Sequence, residues 1–191
     1  MVKGEKRKNH YCFSDKNHFV MLNLASVGVS GISVGYTGVH YGNYGGPEYC
    51  AGQQALPLSN SRLCEQVSDF ENAPPIDIAD SAFQIHDLMY TLGSALPDFI
   101  HADGVLKNNL LRIRKVTSSN VKLTVVIAYA QTVLALNSLG GSVAGVYYTQ
   151  IRPPPALAAN TRARLHALLL RLQSRFNTLL RQQHQQQQQP A

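Results

Sequence analysis

The segment from Pro75 to Tyr90 constrains the fold of this chain most, because its residue pattern fits an α-helix. Asp77 closely follows two prolines, and Asp80 comes three residues later, which is typical of a helix start with a side-chain cap and carboxylates in the first turn. Apolar residues then recur at steps of three and four, at Ile78, Ala82, Ile85 and Met89. The sequence therefore predicts a helix that begins near Asp77.

The same helix carries side chains that can do chemistry. His86 and Tyr90 are four residues apart and share one face. Asp87 points about a quarter-turn away from His86, because successive helical residues diverge around the axis. Adjacent residues cannot both approach one small atom closely, so we expect His86 to handle a proton and Asp87 to bind something else. A calcium ion would suit Asp87.

A glycine-rich loop precedes this helix. Residues 41–52 contain four glycines and one proline, which lets several carbonyl oxygens turn toward one point. Calcium needs more oxygen ligands than one carboxylate supplies, and main-chain carbonyls are the usual supplement. Glycine clusters also mark ordinary turns, and an adjacent His-Asp pair is more often incidental. The loop, the pair and a further acid at Asp103, in this order, favour a functional site.

With these motifs, residues 41–111 resemble the phospholipase A2 superfamily, in its cysteine-poor bacterial and viral members. The most specific part of the resemblance is the spacing of four residues along the helix, which reproduces the spacing in the family. These residues are Asp80, His86, Asp87 and Tyr90. The loop before it looks like the family's calcium-binding turn, with Tyr44, Gly45, Gly46 and Pro47. The implied fold is mainly α: a phospholipase A2-like pair of antiparallel catalytic helices, a preceding calcium loop and an added helical C-terminal region. Little sheet is expected.

The resemblance implies a lipid-degrading hydrolase that cleaves the sn-2 acyl ester of glycerophospholipids at a membrane surface. Fatty acid and lysophospholipid would be the products. His86 would take a proton from the attacking water, while Ca²⁺ polarises the ester carbonyl and the phosphate. The Gly46 amide would donate to the developing oxyanion. The implied calcium ligands are the carboxylate of Asp87 and the main-chain oxygens of Tyr44, Gly46 and Glu48.

The family also orients its histidine with an acid on a second helix, which bonds to a tyrosine like Tyr90. We predict that Asp103 is this acid, and that it fixes the tautomer of the imidazole. Asp98 is the competitor, but it follows Pro97 in the expected inter-helix turn and would need a shorter helix pair. The residues after Asp103 form an apolar stripe that can pack on the first helix: Leu106, Leu110 and Ile113.

Two departures from the family pattern stand out. Pancreatic and venom members have cysteines on the helix and in the loop where this chain has Ser81, Ala82, Met89 and Gly45, so apolar packing must hold the helices together. Glu48 stands where the family often has glycine, and a Cβ there restricts the turn. This second departure bears on calcium affinity.

Three cysteines allow one internal bridge. A bond between Cys50 and Cys64 would pin the loop to the following segment, and free buried thiols are the alternative. Cys12 would remain unpaired in the first case. No metal-thiolate spacing is present, which excludes a zinc site built from these cysteines.

Composition shifts divide the chain into four parts. Residues 1–36 form a basic segment and an apolar helix or loop that resembles a secretory signal only loosely. Residues 37–150 contain the segment that resembles the phospholipase A2 superfamily, and the resemblance implies that they form a phospholipase A2-like catalytic domain. Residues 151–182 form a proline linker and a basic amphipathic helix, and residues 183–191 form a disordered, glutamine-rich tail. The expected location is secreted or membrane-associated.

Two apolar segments leave alternatives open. Residues 121–148 are long enough to span a bilayer, but their polar residues favour a buried helix over a membrane-inserting hairpin. The helix within 156–182 has a leucine-rich stripe flanked by arginines, so it can lie on lipid, pair with a protein partner, or pack back on its own domain. Its stripe is Leu165, Leu168, Leu169, Leu172, Phe176 and Leu179 or Leu180.

Charge is distributed unevenly along the chain. Residues 48–103 contain nine acids and one basic residue, whereas residues 104–191 contain eleven Lys or Arg and no acid. The acidic block favours a divalent cation, and the basic remainder favours an anionic surface. Because no nucleic-acid motif with interleaved aromatic residues is present, we expect a phospholipid membrane and no nucleic-acid partner. A merely solvated basic tail is the alternative.

Two other function classes compete with the lipase. A non-enzymatic module that keeps the scaffold to bind membrane or a protein would follow if Glu48 spoiled the ion site. A metal phosphohydrolase with a His-Asp pair would need another histidine upstream and a distant acid downstream. The chain has no acid after Asp103, so this class ranks lowest.

Overall fold

The computed structural model describes residues 32–35, 38–46, 49–54, 64–117, 120–139 and 156–188, which are mainly α-helical, as predicted. Five helices lie in these ranges: α1 (Val67–Glu71), α2 (Ile78–Leu92), α3 (Leu96–Val116), α4 (Val121–Leu139) and α5 (Ala159–Gln187). Two antiparallel hairpins precede them. The first pairs β1 (Ile32–Gly35) with β2 (Gly38–Tyr41), and the second pairs β3 (Tyr49–Cys50) with β4 (Gln53–Gln54).

Helix α2 starts where the sequence predicts. The Asp77 side chain caps it by accepting the N–H groups of Ala79 and Asp80. Most of the predicted stripe is buried, and Met89 is partly buried against the same core. The core residues that α2 contributes from this stripe are Ile78, Ala82 and Ile85.

Helix α3 follows α2 after three residues and folds back along it, so that Phe99 contacts Tyr90 and Asp103 contacts His86. It begins at Leu96, seven residues before Asp103, and its stripe residues Leu106, Leu110 and Ile113 are buried. Asp98 is exposed and accepts the N–H groups of Ser94 and Ala95. These bonds hold the pKa of Asp98 below its usual value. Asp98 therefore serves as a helix cap and does not approach His86.

Helix α5 packs back on its own domain. Its stripe residues Leu165, Leu168, Phe176 and Leu180 are buried with the residues of α2 and α3. Arg162 donates to the carbonyl of Leu92 at 2.8 Å and so caps the end of α2. The tail predicted as disordered from Gln183 needs correction, because α5 continues to Gln187. Glutamine is a good helix former, so the helix can extend past its apolar stripe.

Helix α4 is buried on one face only. Leu123, Ile127 and Leu134 pack into the core, whereas Val121 is 77% and Leu136 is 56% exposed. Among the described helices, α4 alone has the length and composition to cross a membrane, and 22% of that stretch is buried. The prediction of a buried helix is therefore correct for one face of α4 and wrong for the other. The rest of the apolar run, 140–148, lies outside the described residues.

The N-terminal part departs from the predicted boundaries. Residues 32–35 form a strand instead of a helix or loop, and the boundary predicted between residues 36 and 37 separates two strands, β1 and β2, that pair with each other. Cys50 and Cys64 form a disulfide, which decides between the two cysteine alternatives. Residues 1–31 with Cys12, the linker at 151–155 and the last residues, 189–191, lie outside the described residues.

Candidate active site

The loop after β2 is tightly folded. Gly45 donates its N–H to the carbonyl of Tyr41 at 2.8 Å, and Tyr41 donates back to Gly45. Gly42 has φ of 59°, and a Cβ there would overlap the carboxyl group of Asp80. Gly46 has φ of 142°, which also favours glycine. Glycine is thus required where the loop turns against α2.

Asp80 anchors this loop to α2. Its fully buried carboxylate accepts the N–H groups of Asn43 at 3.0 Å, Tyr44 at 3.0 Å and Ile76 at 3.0 Å. Burial raises the pKa of Asp80, although the three backbone donors partly offset the effect. The sequence predicted only a first-turn acid here, so this anchoring role was missed.

Aromatic side chains hold the loop on either side of Asp80. The hydroxyl of Tyr41 donates to Asp77, the residue that caps α2. The Tyr44 ring is buried, and its hydroxyl donates to the carbonyl of Ala73 at 2.6 Å and accepts from Gln84 at 3.0 Å. The side-chain hydroxyl of Tyr44 is therefore occupied, and the predicted ligand set uses only the main-chain oxygen of this residue.

The structure brings His86 and Asp103 together. His86 Nε2 lies 2.9 Å from Asp103 Oδ1, and the Tyr90 hydroxyl donates to the same oxygen at 2.8 Å. An ionised carboxylate only accepts hydrogen bonds, so Nε2 carries the proton and Nδ1 faces away from Asp103. The three side chains meet as the sequence predicted, because α3 folds back along α2.

Asp87 lies beside the other nitrogen of the ring. Its Oδ1 is 3.6 Å from His86 Nδ1, and its buried Oδ2 has no hydrogen-bond partner within the described residues. Burial raises the pKa of Asp87 to about 7, against the lowering effect of His86. A buried carboxylate oxygen without a donor fits a ligand for a cation.

The acids around His86 change its affinity for protons. Burial lowers its pKa, but hydrogen bonds and charges from Asp103 and Asp87 raise it more, to about 9. In the absence of a cation the protonated ring is therefore favoured at neutral pH.

The remaining predicted ligands are main-chain oxygens. Tyr44 and Gly46 are in the anchored loop, while Pro47 and Glu48 lie outside the described residues. Within those residues, no group of three or more His, Cys, Asp or Glu side chains could hold a metal ion. The predicted calcium site uses one carboxylate and several backbone carbonyls. The unpartnered Oδ2 of Asp87 is therefore the observation that bears on whether calcium fits here.

One cavity among the described residues lies away from His86. It has a volume of about 610 Å³ and lies between the start of α2, the α3–α4 junction and the end of α5. Its described lining includes Asp77, Lys122 and Arg175, but none of the predicted site residues. We therefore place the candidate site at His86 on geometric grounds.

Sequence reasoning missed one side chain of the site. Asn137 of α4 donates from Nδ2 to Asp103 Oδ2 at 2.7 Å. In the sequence Asn137 only interrupted an apolar run. A lone amide in such a run is a signal for a polar partner on a neighbouring helix, because an unpaired buried amide is costly.

No protein-family model matches this chain, and no curated protein or solved structure is detectably similar to it.

Replacing Asp103 with Asn is expected to lower the pKa of His86 from its raised value of about 9, because the anionic acceptor is lost. A raised pKa contributes stability below pH 6.5, and this contribution is lost as pH rises through about 9. The variant should therefore lose less stability over that range than the wild type. Titration of the His86 ring by NMR, with thermal unfolding at each pH, measures both.

Asp98→Asn, which makes the same change at an exposed carboxylate of α3, is the matched control for that titration. The His86 curve should be the same in Asp98→Asn and in the wild type. An unchanged His86 curve in Asp103→Asn would show that this acid does not set the proton affinity of the ring.

Proposed function

We propose that this protein is a calcium-dependent phospholipase A2, a carboxylic ester hydrolase that cleaves the sn-2 acyl ester of glycerophospholipids by a water that His86 activates. The observation that carries the proposal is one pair of neighbouring side chains on α2. His86 is bonded to Asp103 through Nε2, and Asp87 next to it keeps a buried oxygen without a described partner. A general base and a cation ligand thus share one turn of helix.

The chain's own residues supply the proton chemistry. Nδ1 of His86 carries the lone pair that accepts a proton from water, because Nε2 donates to Asp103. The negative charge of Asp103 stabilises the imidazolium that forms, and the Tyr90 hydroxyl holds the same carboxylate oxygen. The amide of Gly46, in the anchored loop, is the candidate donor to the oxyanion.

A calcium ion held by Asp87 and the main-chain oxygens of Tyr44, Gly46 and Glu48 would polarise the ester carbonyl and the phosphate. The same ion has to compete with protons, since the pKa of Asp87 is raised to about 7. Calcium affinity should therefore fall as the pH drops below about 7. Neutralising Asp87 also removes one of the two charges that raise the pKa of His86, which favours the neutral base.

The proposed substrate surface is a glycerophospholipid membrane, with a secreted or membrane-associated location. Support comes from α4, whose outer face exposes Val121, Val133 and Leu136. From residue 104 onward the chain has eleven basic residues and no acid, which suits anionic headgroups. The apolar stripe of α5 is covered by the chain's own core, so a protein partner of 156–182 would have to bind its arginine-bearing face.

A second candidate is a catalytically weak or inactive phospholipase A2-like module that binds membrane or a partner. The raised pKa of His86 favours it, because a ring that stays protonated cannot accept a proton. This candidate predicts lipid binding without ester cleavage.

Fatty-acid release from mixed phospholipid micelles tests the proposal. We expect release with Ca²⁺ and none with a chelator, and much less when Mg²⁺ replaces Ca²⁺, because Mg²⁺ demands a tighter octahedral site. Release that the chelator does not change contradicts the calcium mechanism. Calcium and micelle binding without release supports the inactive module.

A further inference from the structure

We propose that Asn137 is a positioning residue of this site, which holds the Asp103 carboxylate in the orientation that supports His86. The inference rests on the proposed hydrolase function. It adds a third helix, α4, to the two that carry the predicted residues.

The hydrogen bonds divide the two oxygens of Asp103 between different partners. Oδ1 accepts from His86 Nε2 at 2.9 Å and from the Tyr90 hydroxyl at 2.8 Å, while Oδ2 accepts from Asn137 at 2.7 Å. Because an ionised carboxylate has no donor, the Asn137 atom that faces it is the amide nitrogen. With donors on both oxygens, the plane of the carboxylate is fixed.

The bond of Asn137 differs from those of other polar side chains on α4. The hydroxyls of Thr132 and Ser138 donate to the carbonyls of Ala128 and Leu134, four residues back in the same helix. Asn137 instead reaches across to α3, over a sequence separation of 34 residues. A charge-assisted bond of this kind links the last turn of α4 to the candidate site.

The position of Asn137 depends on the buried face of α4. Leu123, Ile127 and Leu134 anchor this helix in the core, so its last turn is held near Asp103. Without the amide, the carboxylate can rotate about its Cβ–Cγ bond, and Oδ1 is no longer held toward His86. The ring then loses its fixed orientation, which slows proton transfer without removing a calcium ligand.

The variant Asn137→Leu removes the donor and keeps a side chain of similar size, and Asn137→Asp keeps the shape but replaces the donor with an acceptor. Both are expected to lower kcat about 10- to 100-fold with little change in KM. Calcium affinity should stay at the wild-type level. Asn137→Gln, which keeps a donor on a longer side chain, should retain more activity than Asn137→Leu.

A second readout does not depend on activity. In the wild type the His86 Nε2–H proton, held by Asp103, should give a sharp downfield NMR signal, and this signal should broaden or vanish in Asn137→Leu and Asn137→Asp. Ser138→Ala is the matched control, because it removes a hydroxyl that donates to the carbonyl of Leu134, four residues back in the same helix. Ser138→Ala should leave both kcat and the signal unchanged.

The outcomes separate the two proposals. Wild-type kcat and an unchanged Nε2–H signal in Asn137→Leu and Asn137→Asp overturn the role of Asn137, and so does a fall in kcat with an unchanged signal. If the wild type does not cleave phospholipid but the signal still disappears in Asn137→Leu, the hydrolase function is overturned and the positioning role is supported.

Discussion

Replacing His86 with Gln is expected to lower calcium-dependent fatty-acid release by about 10²- to 10⁴-fold, because a glutamine amide cannot accept the proton of the attacking water. Gln can still donate a hydrogen bond to Asp103, so the α2–α3 pair should remain folded. Calcium binding should persist, since Asp87 is unchanged. Micelle hydrolysis, calcium titration by calorimetry and thermal unfolding measure the three properties.

Asp87→Asn removes the proposed calcium ligand and keeps the proposed base. It is expected to abolish calcium-dependent turnover through lost ion binding, because the amide has no charge for the ion. The fold should remain intact, since the Oδ2 atom of Asp87 has no hydrogen-bond partner among the described residues. Hydrolysis should then no longer respond to calcium or to chelator.

Asp98→Asn is the matched control for these two variants. It makes the same chemical change as Asp87→Asn at an exposed carboxylate that caps α3, away from His86. We expect unchanged calcium affinity and turnover. Full calcium-dependent activity in either His86→Gln or Asp87→Asn contradicts the proposed function, whatever the control does.

The second large effect concerns the fold around the loop. Asp80→Ala removes the partner of three backbone N–H groups, those of Asn43, Tyr44 and Ile76. A buried donor left unpaired costs about 1–3 kcal/mol, so the loss of a partner for three donors should lower the free energy of unfolding by about 3–9 kcal/mol. Since domains are typically stable by about 5–15 kcal/mol, this is a large share of the total. Denaturant unfolding measures it.

Hydrogen exchange distinguishes release of the loop from loss of the whole fold. If the loop detaches first, the amides of Asn43 and Tyr44 exchange much faster in Asp80→Ala, while those of α3 stay protected. Asp98→Ala is the control, because it removes two backbone bonds at an exposed helix end and should cost only about 1 kcal/mol. Equal losses of stability in the two variants would show that Asp80 does not anchor the loop.

Local features of this chain were predictable from the sequence. The start of α2 at Asp77, most of its buried stripe and the buried positions after Asp103 follow from spacing within single helices. The prediction that His86 pairs with Asp103 came from the family resemblance, together with the apolar stripe of α3 that can pack on α2. The start of α2 and the buried stripes needed only residues close together in the chain.

Asp80 and Asn137 illustrate what those patterns could not show. In sequence, Asp80 looks like one more first-turn acid, and Asn137 looks like a defect in an apolar run. Their partners, Asn43 and Asp103, lie 37 and 34 residues away. Which distant donor or acceptor a polar side chain meets depends on how the helices pack, and no local periodicity encodes that.

Whole helices and strands show the same difference between what local sequence patterns predict and what tertiary packing decides. The amino-acid sequence alone indicated the helices α2 and α5 and the apolar stripe of α5, because these follow from periodicity and propensity. Only the tertiary structure decided that this stripe packs back on α2 and α3, that α4 buries one face and exposes the other, and that residues 32–35 pair with residues 38–41. The hydrophobic effect is non-directional, so an apolar stripe does not specify its own partner. The arrangement of the helices in three dimensions determines which apolar surface covers it.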